Sequence, residues 1–482
     1  MRIGLFLLFY FLSIGMLALF GLHKYFILRV YNRYKKQPLA RPPFPGEWPL
    51  VCVQLPVYNE RYVIKRLLKS VIALDYPKEK LQIQVLDDST DNTCKLISRM
   101  TSILRQHGYQ IEHVRRKNRR GFKAGALAYG LERIMAEYIA IFDADFFPQP
   151  DFLQKTIPHL LQDGIGMVQA RWGHANRNYS LLTRIQATLL DAHFEIEHLA
   201  RNRSGRFFNF NGTAGVWRKA AILDAGGWQY DTLTEDLDLS YRAQLAGWKF
   251  LYLPQVVAPA ELPVEINAYK NQQHRWAKGS VQTALKLFPQ IVHSNLPFYI
   301  RLEALIHLSS NMAYLLMIIP ALLLIPLLQF QLSLQWDWLV FGYFLTFLVS
   351  TVLAMIYYAT AIRDTRGKLW PEIIFLPLLI GVGIGLSLNN SRAALEAIIG
   401  LKSDFKRTPK YRLEGQRGKW RSKLYRAERD YQHIFELLIA GYFLYGFVYY
   451  YRQGFYLYLP FFLLFQFGFL YLAYSSIRSQ RA

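Results

Sequence analysis

The chain has 482 residues, of which 52% are hydrophobic, 16% aromatic and only 19% charged. That composition is too apolar for a wholly soluble protein, and the length accommodates a soluble domain beside a membrane region. The net charge is +23, but the basic residues cluster beside apolar segments, at 24–36 and 402–429, which favours anionic membrane lipid as the partner and argues against nucleic acid. The two cysteines, Cys52 and Cys94, exclude a disulfide framework and a cysteine-based zinc site.

An N-terminal membrane span is predicted at residues 3–22, which are uncharged and long enough for one crossing. No small-residue cleavage site follows this segment, so a removable signal peptide is disfavoured. The basic flank continues to residue 36 and predicts that the next domain, residues 37–297, lies in the cytoplasm.

Residues 37–297 alternate between strand-like and helix-like segments. The predicted strands are 50–55, 82–86, 111–114 and 138–142, and helical spacing occurs at 63–73, after 92 and at 124–135. This alternation predicts an α/β domain with a parallel sheet and helices on both faces. Ligands bind at the carboxyl ends of the strands in such sheets, and four carboxylates follow predicted strand ends: Asp87, Asp88, Asp143 and Asp145. Each one alone can be a turn or cap residue, but the set predicts a single crevice.

Two acidic motifs offer chemistry. Asp143-Ala144-Asp145 places two carboxylates on one side of extended backbone, an arrangement that suits Mg²⁺ or Mn²⁺ and a diphosphate leaving group, although Asp-x-Asp alone is a weak signal. Thr234-Glu235-Asp236 opens a predicted helix. Asp236 is therefore either a residue at a helix N-terminus or a general base for an attacking sugar hydroxyl.

Three further polar stretches complete the set. Gln272, Arg275 and Trp276 lie on a predicted helix before the membrane, where they either contact phosphate and sugar or act as interfacial anchors. The small-residue loop at 210–215 either lets backbone approach an acceptor or forms a tight turn. Lys123 precedes a helix and can reach a phosphate, although the P-loop pattern is missing.

Four more membrane spans are predicted, at 305–328, 338–362, 434–451 and 455–475. The apolar stretch 373–388 holds one proline and three glycines. A full crossing there would put the basic loop at about 400–430 outside, against the charge rule. We therefore predict a re-entrant or interfacial segment that continues into an amphipathic helix at 391–399, within a C-terminal membrane region that covers residues 298–482.

Read together, these motifs resemble glycosyltransferase family 2, and within it the membrane-embedded synthases of the cellulose-synthase-like group. The sequence around the motifs is most similar to that of the plant A and C subfamilies, which make mannan or glucomannan and the glucan backbone of xyloglucan. The likeness is strong over residues 48–290, and the membrane region matches in layout more than in wording.

The resemblance implies a GT-A (Rossmann-like) fold joined to transmembrane helices, and an inverting transfer from a nucleotide sugar. It assigns catalysis to Asp236, with Glu235 beside it, and the metal to Asp143 and Asp145. The nucleotide sugar would be held by Tyr58, Glu60, Asp87, Asp88, Lys123, Asp143 and Arg275. The acceptor would be held by Phe210, Asn211, Gly212, Thr213, Gln272 and Trp276. A gating loop would include Phe405, Arg407, Thr408 and Lys410.

The leading hypothesis is a multi-pass hexosyltransferase that uses UDP-glucose or GDP-mannose to extend a β-1,4-linked polysaccharide, with coupled export. No residue separates guanine from uracil, and the predicted spans are fewer than in cellulose synthase. One alternative is a single transfer to a membrane lipid, as in ceramide-glucosylating relatives. Another is a non-enzymatic membrane scaffold. The protein would lie in the plasma or inner membrane of a bacterium, or in the Golgi if plant-like.

Overall fold

A computed structural model describes residues 2–37, 39–40, 42–334, 337–370, 372–403, 407–416, 418–428 and 430–480. Its first part is an α/β domain, and its second part consists largely of long apolar helices. The predicted fold class, an α/β domain joined to a helical membrane region, is confirmed.

The described residues form a seven-stranded sheet of order β3-β2-β1-β4-β6-β5-β7. The strands are β1 (Val51–Val57), β2 (Leu81–Asp87), β3 (Gln110–Arg115), β4 (Tyr138–Ile141), β5 (Ile165–His174), β6 (Gly215–Arg218) and β7 (Lys249–Ala260). The four strands predicted from the sequence are present and parallel, but β6 runs antiparallel to β4 and β5. The expectation of a purely parallel sheet is therefore wrong. The chain enters β6 beside the end of β4, where Gly215 pairs with Ile141, and so it must run the other way.

Successive side chains of a strand point to opposite faces of the sheet. In β1, β2 and β4 nearly all of these side chains are buried, so both faces of the sheet are covered. Cys52 and Ile139 face one apolar core, while Val51, Val53 and Ala140 face another. Helices cover both cores, as expected for strands that are apolar throughout. The carboxyl ends of β1, β2 and β4 are consequently held rigidly at one edge.

The helices up to residue 292 surround this sheet or lead into the membrane region. They are α1 (Arg2–Tyr34), α2 (Ile64–Ile72), α3 (Thr93–Gln106), α4 (Phe122–Leu131), α5 (Phe152–Leu160), α6 (Leu181–Ala192), α7 (Leu199–Arg203), α8 (Lys219–Asp224), α9 (Glu235–Leu245) and α10 (Ile266–Val292). The helix α1 does not end with the predicted span at residue 22. The helix continues to Tyr34, and this region contacts other elements through His23 and Glu303 at 2.9 Å and, just past the helix end, through Lys35 and Asp364 at 2.7 Å.

The C-terminal helices are α11 (Phe298–Ser309), α12 (Met312–Leu334), α13 (Asp337–Arg366), α14 (Leu376–Ile398), α15 (Gln432–Arg452) and α16 (Leu459–Gln480). The span predicted at 305–328 is wrong in its bounds, because the helix is interrupted between Ser309, where α11 ends, and Met312, where α12 begins. In the described chain, six helical segments are long and apolar enough to cross a membrane: Tyr10–Tyr34, Met312–Gln329, Phe347–Arg366, Glu372–Ile398, Gln432–Arg452 and Tyr456–Gln480. These helices are consistent with the predicted multi-pass membrane protein.

The stretch 373–399 differs from its prediction. It forms one continuous helix, α14, preceded by a short turn of 3-10 helix, instead of a re-entrant segment and a separate amphipathic helix. Both ends contact the α/β domain, through Arg184 to Glu372 at 3.1 Å and Lys278 to Glu396 at 3.0 Å. An interfacial position stays a prediction, and the same helical segment is long and apolar enough to cross a membrane.

Candidate active site

A cleft opens at the carboxyl ends of β1, β2 and β4. Tyr58, Asp88 and Asp143 follow these strands directly, and all three line the cleft. Its other walls come from the N-termini of α4 and α9, from α10 and from the loop after α14. The predicted residues in the lining are Tyr58, Glu60, Asp88, Lys123, Asp143, Asp145, Asn211, Gly212, Glu235, Asp236, Gln272, Arg275, Trp276, Arg407, Thr408 and Lys410. One crevice therefore collects motifs that are far apart in sequence.

Lys123 is the cation at the centre of the cleft. Its Nζ binds Asp143 Oδ1 at 2.5 Å and the carbonyl oxygen of Gly212 at 2.9 Å. Burial lowers the pKa of the amine, but the carboxylates of Asp143, Glu235 and Asp236 outweigh it, so the net shift of the pKa is upward. Lys123 is thus a permanent positive charge facing three acids.

Asp236 lies in the first turn of α9, where its Oδ1 accepts the backbone N–H of Leu237 at 2.9 Å. Burial and the neighbouring charge of Glu235 raise the pKa of Asp236 to about 7, against the opposing charges of Lys123 and Arg275. A carboxylate with a pKa near neutrality is well matched to accepting a proton from a hydroxyl group. The position therefore suits a general base.

The two carboxylates of the Asp-x-Asp motif do not share one environment. The strand β4 ends at Ile141, before the motif, so the extended backbone assumed from the sequence is absent there. Asp143 pairs with Lys123, whereas Asp145 Oδ2 accepts from Lys410 Nζ at 2.8 Å and from the N–H of Glu261 at 3.1 Å. The expectation that both side chains point to one side is therefore corrected.

The end of the cleft beside Tyr58 is the one predicted to hold the nucleotide. The guanidinium of Arg119 stacks 3.4 Å from the centre of its ring, and Arg116 forms a two-pronged ion pair with Asp88. Asp87 differs from the prediction, since its side chain is 0% exposed and accepts from His113 at 2.8 Å and from the N–H of Ser89 at 2.9 Å. Asp87 supports the floor of the site rather than lining it.

The helix α10 carries Gln272, Arg275 and Trp276 to the cleft, as predicted, because residues three and four apart share one helix face. Burial lowers the pKa of Arg275, while Glu235, Asp143 and Asp236 act to raise it. The side chain thus adds a second cation opposite the acidic cluster.

The acceptor loop, residues 210–213, divides into two pairs. Asn211 and Gly212 line the cleft, whereas Phe210 and Thr213 are fully buried behind it. Phe210 packs edge-on against Trp217, and the Thr213 hydroxyl accepts the N–H of Asp143 at 2.9 Å. The φ of Gly212 is +79°, and a Cβ built there would lie 3.0 Å from Asp236 Oδ2. The backbone therefore passes directly beside the proposed base.

The predicted gating loop closes over the cleft. Arg407 Nε binds Glu60 Oε1 at 2.9 Å, Lys410 binds Asp145, and Thr408 is buried in the cleft wall. Burial raises the pKa of Glu60 to about 7, although Arg407 opposes the shift. Phe405 lies outside the described residues.

Three functional candidates were missed from the sequence: Arg116, Arg119 and Glu261. The arginines belong to a stretch with five basic residues at 115–120, directly after β3, which was a usable signal. Glu261 accepts the N–H groups of Tyr411 and Leu413 at 2.8 and 3.0 Å. No local pattern marks this residue, because its partners are about 150 residues away in the chain.

Residues 49–279 match the family described as Glycosyltransferase like family 2. The matched segment contains the sheet, the acidic motifs and the start of α10. The α/β domain is a family 2 glycosyltransferase domain. The family resemblance inferred from the sequence is confirmed for this domain.

Relatives of this glycosyltransferase include two plant proteins. The chain is 46% identical over 263 residues to "Probable glucomannan 4-beta-mannosyltransferase 7" of Oryza sativa subsp. japonica, a match covering 53% of this chain and 45% of the relative. It is 45% identical over 270 residues to "Glucomannan 4-beta-mannosyltransferase 2" of Arabidopsis thaliana, covering 55% and 51%. The chain thus spans about half the length of the curated relatives it matches.

The GT-A fold of this glycosyltransferase is confirmed by a solved structure, the mannosyltransferase PcManGT from Pyrobaculum calidifontis in complex with GDP-Man and Mn²⁺. The TM-score is 0.55 at 18% identity, with 82% of this chain and 100% of that chain covered. At that identity, the likeness establishes the fold.

Proposed function

We propose that this glycosyltransferase transfers mannose from GDP-mannose, with inversion, to the end of a β-1,4-linked polysaccharide. The single observation that carries the proposal is the convergence of Asp236, Lys123, Asp143 and Arg275 in one cleft at the strand ends. The names of the plant relatives supply the sugar and the linkage.

In the proposed reaction, the acceptor hydroxyl attacks the anomeric carbon while its proton passes to a carboxylate oxygen of Asp236. The bond from that carbon to the diphosphate breaks, and the diphosphate leaves with the electron pair. Lys123 and Arg275 face the place where that negative charge grows, which is where positive charge accelerates the step. Glu235 helps by keeping the pKa of Asp236 near neutrality.

The donor set of the Asp-x-Asp motif fits Mg²⁺ or Mn²⁺, because both ions prefer carboxylate oxygens completed by phosphate and water. Asp143 is 35% exposed towards the cleft, and Asp145 reaches the cleft wall. These two residues would hold the ion, which would neutralise charge on the diphosphate. In this structure Lys123 pairs with Asp143 and Lys410 pairs with Asp145. Each lysine would share its carboxylate with the bound ion or release it.

The membrane region supports an elongating enzyme placed with its cleft on the cytoplasmic side. Ser391, Asn389 and Asn390 are buried in α14, whose C-terminal half packs on α10, the helix that carries Arg275 and Trp276. A polymer leaving the cleft beside Trp276 would therefore meet the membrane helices at once. We include extension in repeated steps with export in this proposal, and transfer to a membrane lipid is the alternative that the product assay decides.

The test is to incubate purified protein in nanodiscs with each labelled donor, GDP-mannose or UDP-glucose, with and without Mn²⁺. A polymer from GDP-mannose that β-1,4-mannanase digests is the expected product, and EDTA should abolish its formation. Incorporation from UDP-glucose alone would refute the donor. A labelled lipid without polymer would refute the acceptor.

A further inference from the structure

The acceptor loop is held from behind by two histidines. Asn211 Oδ1 accepts from His198 Nε2 at 2.5 Å, and Asn211 Nδ2 donates to His193 Nε2 at 3.0 Å. The backbone N–H of Asn211 donates to Gln169 Oε1 at 3.0 Å. Asn211 was predicted to contact the acceptor, but both ends of its amide are already engaged by the protein.

The donor and the acceptor of each hydrogen bond among His198, Asn211, His193 and Glu197 can be assigned. Burial holds the pKa of His198 well below its usual range, so the ring is neutral and has one N–H, which it gives to Asn211. Because His193 Nε2 accepts from Asn211, its proton sits on Nδ1 and is donated to Glu197 Oε2 at 3.1 Å. The tautomers assigned from these contacts are therefore mutually consistent.

We call the arrangement in which His193 and His198 both hydrogen-bond to the Asn211 amide the clamp. It depends on the backbone between α6 and α7. His193 and His198 are five residues apart, and on a regular α-helix they would point about 140° away from each other. Residues His193–His198 instead form a single π-helical turn, and the two ring centres lie 4.3 Å apart. π-turns inside helices are frequent at functional sites. The turn places both rings against the same amide.

The other end of the clamp reaches the membrane helices. Glu197 accepts from Arg201 at 3.2 Å and from the Tyr357 hydroxyl of α13 at 3.0 Å, and Lys24 of α1 lies 3.7 Å away. These contacts hold the pKa of Glu197 well below its usual range, despite its burial. A continuous chain of hydrogen bonds thus connects α13 with the acceptor loop.

We propose that His193 and His198 are positioning residues, which set the acceptor loop so that the attacking hydroxyl of the sugar reaches Asp236 in line. The inference rests on the proposed function. The π-turn fixes the side chain of Asn211, and Asn211 fixes the backbone of Gly212. Gly212 in turn lies against Asp236 and binds Lys123. A small shift of the loop therefore moves the acceptor relative to both the base and the central cation.

The test compares His198→Ala and His198→Gln with wild-type protein in nanodiscs. The alanine variant should lose about tenfold to a hundredfold in kcat, because a misplacement of about 1 Å costs that much. Donor KM and the Kd for GDP with Mn²⁺ should stay within about twofold, because neither His193 nor His198 lines the cleft. The glutamine variant should recover most of the rate, since its amide N–H can again donate to Asn211 Oδ1. His293→Ala is the matched control, because that ring is exposed and hydrogen-bonds to the carbonyl oxygen of Pro289 at the end of α10, away from the π-turn.

A double-mutant cycle with Asn211→Leu separates this inference from the proposed function. Each single substitution should lower Tm, and the pair His198→Ala/Asn211→Leu should lower it by clearly less than the sum of the two single losses, since the hydrogen bond that the two residues share can be lost only once. Additive losses of Tm, full activity of His198→Ala, or a folded glutamine variant that stays inactive would each overturn the proposal. Absence of transfer by wild-type protein would instead refute the proposed function, and the Tm cycle would still decide the clamp.

Discussion

Asp236 becomes a plausible base through neighbours that are distant in the chain. Lys123 comes from the start of α4 and Arg275 from α10, while Glu235 is adjacent. Two cations pull the pKa of Asp236 down, and burial with one like charge pushes it up, to about 7. The helix N-terminus alone would have favoured the anion and a lower pKa. Its tertiary environment therefore decides the chemistry of this residue.

We expect Asp236→Asn to lower the transfer rate by about 10² to 10⁴, the usual contribution of a general base. The amide cannot accept the proton, but it keeps the size and the Leu237 contact of the carboxylate. Isothermal titration with GDP and Mn²⁺ should give an affinity near that of wild type. A variant that retains more than half of the wild-type rate would remove Asp236 as the base.

The pH profile of kcat/KM should rise with pH and reach half its plateau at about pH 7, because only the unprotonated Asp236 of the free enzyme can accept a proton. Glu235→Gln removes a like charge that raises this pKa, so the midpoint should move to lower pH. Rates measured from pH 5 to 9 in both proteins test the sign of the shift. A midpoint that stays in place or moves upward would contradict the electrostatic account.

At the scale of elements, α10 joins the cleft to the membrane region. One face of the helix carries Gln272, Arg275 and Trp276 into the cleft. The face that carries Lys270, His274 and Lys278, spaced by four residues, contacts other helices: Lys270 reaches Glu436 of α15, and the latter two bind Glu396 of α14. Side chains at this spacing share a helix face, so the residues that line the cleft and the residues that contact α14 and α15 lie on different faces of α10. Movement of α14 would thus move Arg275.

The closed loop over the cleft should depend on Arg407. In Arg407→Gln, the buried carboxyl of Glu60 loses its charged partner at 2.9 Å. We expect donor KM to rise about tenfold, the equivalent of one hydrogen bond to a charged group, and amide hydrogen exchange to increase across residues 407–428. Arg421→Gln is the control, because Arg421 is an exposed residue of the same loop. Unchanged exchange in Arg407→Gln would show that the pair does not hold the loop.

At the scale of the whole molecule, a buried ion pair ties the glycosyltransferase domain to the membrane helices. Lys270 Nζ lies 2.7 Å from Glu436 Oε1, and the two side chains are 1% and 0% exposed. Breaking a buried pair from one side leaves an uncompensated charge, which costs about 3 to 5 kcal/mol of stability. Asp430 Oδ2 remains 3.3 Å from Lys270 Nζ as a second partner, so we expect the lower end of this range, about 3 kcal/mol.

Glu436→Leu should therefore lower the free energy of unfolding by about that amount, and the double variant Lys270→Met/Glu436→Leu should recover most of it. Thermal unfolding in nanodiscs, followed by tryptophan fluorescence, measures both variants. If the double variant were as unstable as the single one, the pair would be contributing packing rather than charge balance.

The local sequence pattern was sufficient to predict much of the secondary structure of this protein. The strands and helices of residues 50–142 were predicted within a few residues, because each is a short apolar run bounded by polar residues. The failures have physical causes as well. The stretch that contains α14 is held at both ends by ion pairs with the α/β domain, and the direction of β6 depends on where its chain enters the sheet.

The sequence by itself determined the domain order, the family and the motif residues, since spacing and composition are properties of the linear chain. It could not reveal that Asp87 is sealed beneath the cleft, that Asp145 faces Lys410, or that a π-turn brings His193 and His198 onto Asn211. Those arrangements exist because burial and charge act through space between residues far apart in the chain. Only the tertiary structure brings them within hydrogen-bonding distance.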